Sequence, residues 1–397
     1  MSGAMMRAGL WHMVGASAWL PVFLTVLGGP VLFLRAAVRQ AERVADITFG
    51  VIEPPVVAQR DITVRAPMSN QQSEQRALEC SGMAWADNRL LLVSDRHSHI
   101  LFTCPVDLDQ MTIGEPIPHV VIGNEQDLLE DAESITVTPG QAGQWGVYAM
   151  GSLSNDPAES PLPKRRHLLH FTLHKGEPFQ FSQPVILSAG AIRDAIGHIL
   201  ESARVEPYHT FYMESASTGR NTYRWGNVEG MSFTPDGSSV LLGMRNPLCG
   251  DHAIMAVVQG VAEALRTGDP GRFRVTDVFG LDLGDRGVSD ISWDPLTRGY
   301  LIAAAKSNGP KLSMDQPFPP NTLDSALFWW GGDKAAGPIL FARIPDLKIE
   351  AVCRLGTTAF IAIGSDEADV SEGRTRQQQS VLTILAFTGI GRTVEDR

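Results

Sequence analysis

One plan, repeated five times, constrains this chain more than any other feature. The segments SGMAW-ADNR-LLLVSD (81–95), ESITV-TPGQAGQ-WGVYAMGS (133–152), EGMSF-TPDGSS-VLLGMR (229–245), SDISW-DPLTRG-YLIAAAK (289–306) and IEAVC-RLGTT-AFIAIGSD (349–366) each join two apolar runs through a turn. Alternation at period two marks strands, and TPDG, DPLTRG and RLGTT carry the Gly, Pro and Asp chemistry of hairpins. The apolar pairs Met83/Trp85, Ile135/Val137, Met231/Phe233, Ile291/Trp293 and Ala351/Cys353 fall at similar spacing, with one long step between Ile135 and Met231.

Each hairpin is followed by a third apolar strand and usually a fourth: ILFTCPV then GEPIPHVVIG, HLLHFTL then FSQPVILS, AIMAVVQ then FRVTDVFGL, ALFWWGG then GPILFARI, and finally SVLTILAF. Four antiparallel strands per unit, repeated around an axis, is the plan of an all-β propeller. Five blades follow from this count. Six is the alternative, with a degenerate blade hidden in 167–225. The long step holds a Pro/Ser loop (153–166) and a short helix around 190–203, where Ile192, Ile196, Ile199 and Leu200 make one apolar face. The last repeat lacks a fourth strand, and an N-terminal strand around Asp61 to Ala66 is expected to supply it, which removes open sheet edges. The propeller then spans 77–388, after a linker over 44–76 and before a tail over 389–397.

Residues 1–43 read as a membrane segment. No Asp, Glu, Lys or Arg occurs from Ala8 to Leu34, a run long enough to cross a bilayer core needing ~20 apolar residues. A cleaved signal peptide is the alternative, because Arg7 supplies a basic start. Arg35, Arg39 and Arg43 follow the run directly and no A-x-A site separates them from it, which favours an uncleaved span, the membrane being then a partner through residues 8–34. By the positive-inside rule these arginines place the propeller in the cytoplasm.

Acidic residues gather where the inner strands begin: Glu79, Asp131, Glu133, Glu229, Asp290 and Glu350. Loops preceding inner strands ring the mouth of a propeller's channel. Anchored on the apolar pairs, Glu133 and Glu229 share one position with Ser81 and Ser289, and Asp290 and Glu350 fall one residue later. The second hairpin strands end in Asp95, Ser152, Arg245, Lys306 and Asp366, of which Asp95, Arg245, Lys306 and Asp366 are the candidate ligand-binding residues. Converging carboxylates repel, so they require a cation, Arg and Lys partners, or retained protons. The first reading is that they cap turns and pair with Arg245, Lys306 and Arg354. The second is a hard cation, Ca²⁺ or Mg²⁺, and the third acid–base catalysis.

Other signals are weaker. His97 and His99 read as wet turn histidines rather than a metal pair, and Trp85, Trp293, Trp329 and Trp330 as blade core rather than a stacking platform. Cys80, Cys104, Cys249 and Cys353 lie far apart, without C-x-x-C or zinc-finger spacing, and read as buried free thiols; a Cys80–Cys353 disulfide is the alternative. A formal net charge of -11 with no basic stripe argues against nucleic acid. No G-x-S-x-G, G-x-x-x-x-G-K-[ST] or H-E-x-x-H occurs, and no nucleotide, haem or zinc signature is found.

The segments ECSGMAW, DAESITVTPG, NVEGMSFTPDGSSVLLGMRNPL and VSDISWDP with YLIAA resemble the uncharacterised bacterial family known as domain of unknown function 3616 (DUF3616), and more distantly the phytase-like esterase propellers. The resemblance covers about 77–388 and is strongest from Asn227 to Leu248. It implies a propeller, usually extracytoplasmic, without an established activity. The expectation is therefore a membrane-tethered propeller on the periplasmic side that binds a ligand or divalent cation at its axial mouth, the small ligand or protein partner being unspecified. The alternative is a cation-dependent hydrolase of ester or phosphoester bonds, with Glu133 and Glu229 as ligands or base and Arg245 and Lys306 holding an anionic substrate.

Overall fold

The computed structural model describes residues 54, 56–61, 63–64, 76–95, 97–120, 129–141, 143–154, 163–176, 179–202, 226–249, 251–306, 324–345, 347–368 and 380–388. The five hairpins form the inner halves of five antiparallel sheets. Blade 1 runs Cys80–Ala86, Arg89–Ser94, Ile100–Asp107, then an outer strand in two pieces, Thr112–Ile113 and Ile117–Val120. Blade 2 runs Ala132–Pro139, Gln144–Gly151, His167–His174, then Gln180–Phe181 and Val185–Ser188. Blade 3 is Asn227–Phe233, Ser239–Cys249, His252–Gln259 and Arg274–Asp282. Blade 4 is Arg286–Asp294, Gly299–Lys306, Ser325–Trp330 and Ile339–Ile344. Pro116 and Pro184 fall between the two pieces of the outer strands of blades 1 and 2, where a missing N–H costs no interior ladder bond.

Blade 5 is built from both parts of the chain. Leu347–Arg354, Phe360–Ala368 and Val381–Ala386 are completed by Val56–Asp61, which pairs antiparallel with Val381–Ala386. The closing strand thus lies upstream of the expected Asp61–Ala66, and Thr63–Val64 pairs instead with Arg76–Ala77. An outermost strand packs on one side only, so its apolar signal is slight. Val56 and Val57 are exposed, and Arg60 reaches sideways to the carbonyl of Ile113 at 2.6 Å and to Glu115 on the outer edge of blade 1.

The core is divided into wedges between neighbouring blades, and these close the ring. Leu91 and Val93 pack against Ile135 and Val147 between blades 1 and 2, Met150 against Met231 between 2 and 3, and Leu241 against Ile302 between 3 and 4. Ala303 meets Val352 between blades 4 and 5, and Met83 and Leu92 meet Ala351 and Ala362 between 5 and 1. Because Leu90 and Leu92 face one neighbour while Leu91 and Val93 face the other, a second strand must be apolar on both sides, hence the unbroken LLLV. Each such side chain, fully buried, contributes about 1.5–3 kcal/mol. The helix expected around 190–203 is Gly190–Ser202, with Ile192, Ile196 and Leu200 buried in the wedge between blades 2 and 3, so 167–225 holds no sixth sheet among the described residues.

A β-bulge recurs at one place in all five inner strands. The ladder skips Ser81 in blade 1, Glu133 in blade 2, Glu229 in blade 3, Ser289 in blade 4 and Glu350 in blade 5. These five residues occupy one structural position. Glu350 therefore aligns with Glu133 and Glu229, and the positions of the apolar pair are filled in the fifth blade by Val352 and Arg354 rather than by Ala351 and Cys353. The register expected for the last repeat is one residue out because Ala351, Val352 and Cys353 form a continuous apolar run and the charged Arg354 stands where the other blades carry Trp85, Val137, Phe233 and Trp293. A bulge bends its strand and re-aims a side chain, here at the axis.

Among the described residues no helix is long and apolar enough to cross a membrane; the run from Ala8 to Leu34 lies outside them.

Candidate functional site

The five bulged residues define a ring at the start of the inner strands, and Arg245 bridges three of them. Arg245 comes from within the second strand of blade 3 and is buried. Its Nη1 donates to Glu229 Oε2 at 2.6 Å, to Glu350 Oε1 and Oε2 at 2.7 and 2.8 Å, and to Ser289 Oγ at 3.3 Å. Blades 3, 4 and 5 are thereby tied through one guanidinium. Lys348 adds a second cation at 3.0 Å from Glu350 Oε1, and Asn227 Nδ2 donates to Glu229 Oε1 at 2.6 Å. In blade 1 the ring member Ser81 donates to the carbonyl of Ala132 in blade 2.

Burial sets the protonation of this ring, and the partners modify it. Burial works to raise Glu350, but Arg245 and Lys348 outweigh it and bring the carboxyl down to about 2. For Glu229, burial raises the carboxyl well above its usual range against the pull of Arg245, with Glu350 adding repulsion. Burial alone would lower Arg245, yet the two carboxylates hold it charged. Glu133 has no cation beside it. Burial, then the charges of Asp131, Glu229, Asp95 and Glu350, push it well up. Glu133 is half-buried.

The remaining candidates sit around or away from this ring. Asp290 lies one residue further along blade 4 and is fully buried; its oxygens accept from the backbone N–H of Ile291 and of Val352 in blade 5, each at 2.8 Å. Glu79 and Asp131 enter blades 1 and 2 with left-handed φ of 51° and 58°. Asp131 accepts from Ser152 at 2.5 Å and Ser154 at 3.3 Å and pairs with Arg165 at 3.0 Å. Asp95 is half-buried beyond the second strand of blade 1. Lys306 pairs with Asp285 at 3.1 Å and lies 4.0 Å from Asp324, which also holds Arg286 at 2.6 Å. Arg354 pairs with Asp294 at 2.5 Å in the wedge between blades 4 and 5. The side chain of Asp366 lies outside the described residues. Among the described residues no group of three or more His, Cys, Asp or Glu is placed to hold a metal ion.

At the opposite end of the inner strands the axis opens into a cavity of about 690 Å³, within the ~300–1,000 Å³ of small-ligand sites. Every blade contributes to its wall. The layer Ala84, Thr136, Ser232, Ser292 and Cys353 is uniformly small, which keeps the opening wide; the next layer carries Trp85, Phe233 and Trp293. Trp145 joins them from the second strand of blade 2. Trp85, Trp145 and Trp293 are half-buried, and among the described residues their indole N–H groups have no hydrogen-bond acceptor. By contrast Trp329 Nε1 donates to Thr297 Oγ1 at 2.9 Å, and Trp330 Nε1 to the carbonyls of Asp333 and Ala336 at 2.9 and 3.2 Å. The four tryptophans expected together in the core thus divide, and Trp85 and Trp293 line the cavity. Period-two reading alone could not show this, since a side chain facing a neighbouring blade and one turned toward the axis share the same parity; the run of small residues beside them is the legible sign.

Neither a protein-family model nor a curated protein matches the sequence. Among solved structures, the PQQ-bound aldose sugar dehydrogenase of Streptomyces coelicolor is similar at 11% identity and a TM-score of 0.35, over 84% of this chain and 99% of that one. A protein of unknown function from Dyadobacter fermentans is similar at 11% and 0.38, over 84% and 99%. Hydrazine synthase of Kuenenia stuttgartiensis is similar at 7% and 0.35, over 76% of each chain. Likeness at this level carries no functional reading.

The minor candidates also find their places. His97 is buried with its ring 6.1 Å from Phe102, edge to face, so it is a packed side chain rather than a wet one. All four cysteines are free thiols, with Cys249 half-buried and the others buried. Burial pushes the Cys104 thiol up to about 12 and raises Cys353 well above its usual value, so neither is a ready nucleophile.

Proposed function

We propose that this propeller is a binding protein whose ligand enters the axial cavity at the hairpin end. The cavity carries the reading: all five blades line it, and three indole donors on its wall lack hydrogen-bond acceptors among the described residues. A hydrolase reading asks Arg245 and Lys306 to hold an anionic substrate, whereas both hold carboxylates of this chain. A divalent cation beside Glu133 stays a second proposal, favoured by the four carboxylates that repel it. Residues 8–34 are proposed to tether the domain to a membrane with the propeller on the extracytoplasmic side; a reporter fused after Arg397 that is active only in the cytoplasm would overturn that orientation.

Cavity binding is tested with N-phenyl-1-naphthylamine, a neutral dye that brightens when it leaves water. Dye emission excited by energy transfer from tryptophan is expected in the wild type and weakened in Ser292→Trp, which narrows the cavity. Transfer that persists unchanged in Ser292→Trp places the dye elsewhere and removes the reading.

A further inference from the structure

The chemistry of the cavity wall selects among ligands. Arg354 is the guanidinium on that wall, and it is spent: Nε and Nη2 donate to Asp294 at 2.9 and 2.5 Å, and Nη1 donates to the carbonyl of Phe387 at 2.5 Å. Asp236 stands on an exposed hairpin turn at the rim, its carboxylate already accepting from Thr234 at 2.6 Å and from Ser238 at 2.9 Å. Among the described residues the lining therefore offers no uncommitted positive charge to a phosphate or carboxylate. The aromatic residues Trp85, Trp145, Phe233 and Trp293 line the cavity, with three indole N–H groups and the hydroxyls of Thr136 and Ser292 that take no hydrogen bond among the described residues.

We infer that the ligand is a neutral carbohydrate of about disaccharide size, an inference that rests on the cavity being the binding site. The negative face of an indole attracts the weakly positive C–H face of a pyranose, while sugar hydroxyls accept from indole N–H groups and exchange hydrogen bonds with Thr136 and Ser292. Buried polar groups without partners are costly. A ligand that is apolar on its faces and hydroxylated at its edges satisfies both halves of this wall at once. A purely apolar ligand would cover the three indole donors without bonding them, and an anionic one would meet no free cation.

The test titrates the full chain with glucose, cellobiose, maltose, choline and inositol hexakisphosphate, followed by tryptophan emission and calorimetry. At least one neutral disaccharide is expected to bind with Kd below ~1 mM and to change tryptophan emission. Trp85→Ala and Trp293→Ala should each weaken it by about tenfold or more, equivalent to about 1.4 kcal/mol. Trp85→Phe and Trp293→Phe keep an aromatic face and remove only the donor, so they should bind between wild type and the alanine variants if folded by circular dichroism. Trp329→Phe, whose indole is bonded to Thr297 outside the cavity, should bind as the wild type does. Choline or inositol hexakisphosphate binding while no sugar does would overturn the inference, as would sugar affinity indifferent to both tryptophans. If no sugar binds but the naphthylamine dye still enters and its transfer is weakened by Ser292→Trp, the carbohydrate class falls and the cavity reading stands; if neither enters, both fall.

Discussion

Arg245 in blade 3 holds both carboxylate oxygens of Glu350 in blade 5, at 2.7 and 2.8 Å, across 105 residues of sequence. The same nitrogen bonds Glu229, so one buried cation serves two buried carboxylates that would otherwise repel. Removing it takes from Glu229 its ion-pair partner and leaves Glu350 with Lys348 alone. Arg245→Met is expected to lower unfolding free energy by about 3–5 kcal/mol, the usual cost of breaking a buried pair from one side. Adding Glu229→Gln and Glu350→Gln to Arg245→Met should restore much of the loss. Urea unfolding of the wild type and the two variants checks this; a triple variant no more stable than Arg245→Met would show that the arginine stabilises by packing instead of charge.

Glu133 and Glu350 should leave opposite marks on the pH dependence of stability. A carboxyl raised by folding binds more protons folded than unfolded, so Glu133 contributes fully below 4.5, its ordinary value, and loses that contribution as pH rises through its folded value. Glu350, lowered from 4.5 to about 2, contributes above 4.5 and loses its part as pH falls toward 2. Glu133→Gln is therefore expected to gain on the wild type as pH climbs from about 5 to neutrality. Parallel stability curves for the two proteins over that window would show that Glu133 ionises freely.

Calcium separates a proton from a metal at the same carboxyl. A divalent cation bound only to the folded state at 100 times its Kd adds ~2.7 kcal/mol. The cation proposal expects that gain for wild type at neutral pH and none for Glu133→Gln. Equal melting midpoints with calcium and with chelator, in both proteins, would eliminate it.

Close approach between blades 3 and 4 makes one glycine irreplaceable and leaves another free. A Cβ at Gly287 would stand 2.1 Å from the carbonyl oxygen of Arg245, whereas one at Gly337 would meet nothing within 4 Å. Gly287→Ala is expected to cost at least ~2 kcal/mol, through displacement of the strand that carries Arg245. Gly337→Ala should be neutral or stabilising by a few tenths of a kcal/mol, roughly the gain from a less flexible unfolded chain. Denaturation midpoints in that order are the expected result; equal midpoints would mean the two blades separate easily.

Ring closure should be measurable by truncation. Residues 51–397 form a compact unit by themselves. Removing residues 1–50 is expected to leave a cooperative, β-rich domain, while removal through Asp61 bares the edge of Val381–Ala386 and should promote aggregation. Light scattering during thermal unfolding distinguishes the two, and identical behaviour would show that Val56–Asp61 contributes little.

The architecture was legible in the sequence because its information is local. Hairpin turns such as TPDG and DPLTRG sit between strands that alternate at period two, and four strands recur per unit, so five blades and the helix at Gly190–Ser202 could be read without coordinates. The closing strand was misplaced because an outer strand buries one side only and carries little apolar signal. In the last blade the register slipped by one because the charged Arg354 occupies a position that is apolar in the other four blades, while Ala351 and Cys353 beside it are apolar. Glu133 and Glu229 share a ring, and that too was readable, from repeat position alone. Only the tertiary structure could decide that Arg245 joins Glu229 to Glu350, and that Trp85, Trp145 and Trp293 face a common cavity. Those relations link residues in different blades. The direction each side chain takes is set by the bulges and by strand convergence at the axis, and a repeat pattern records neither.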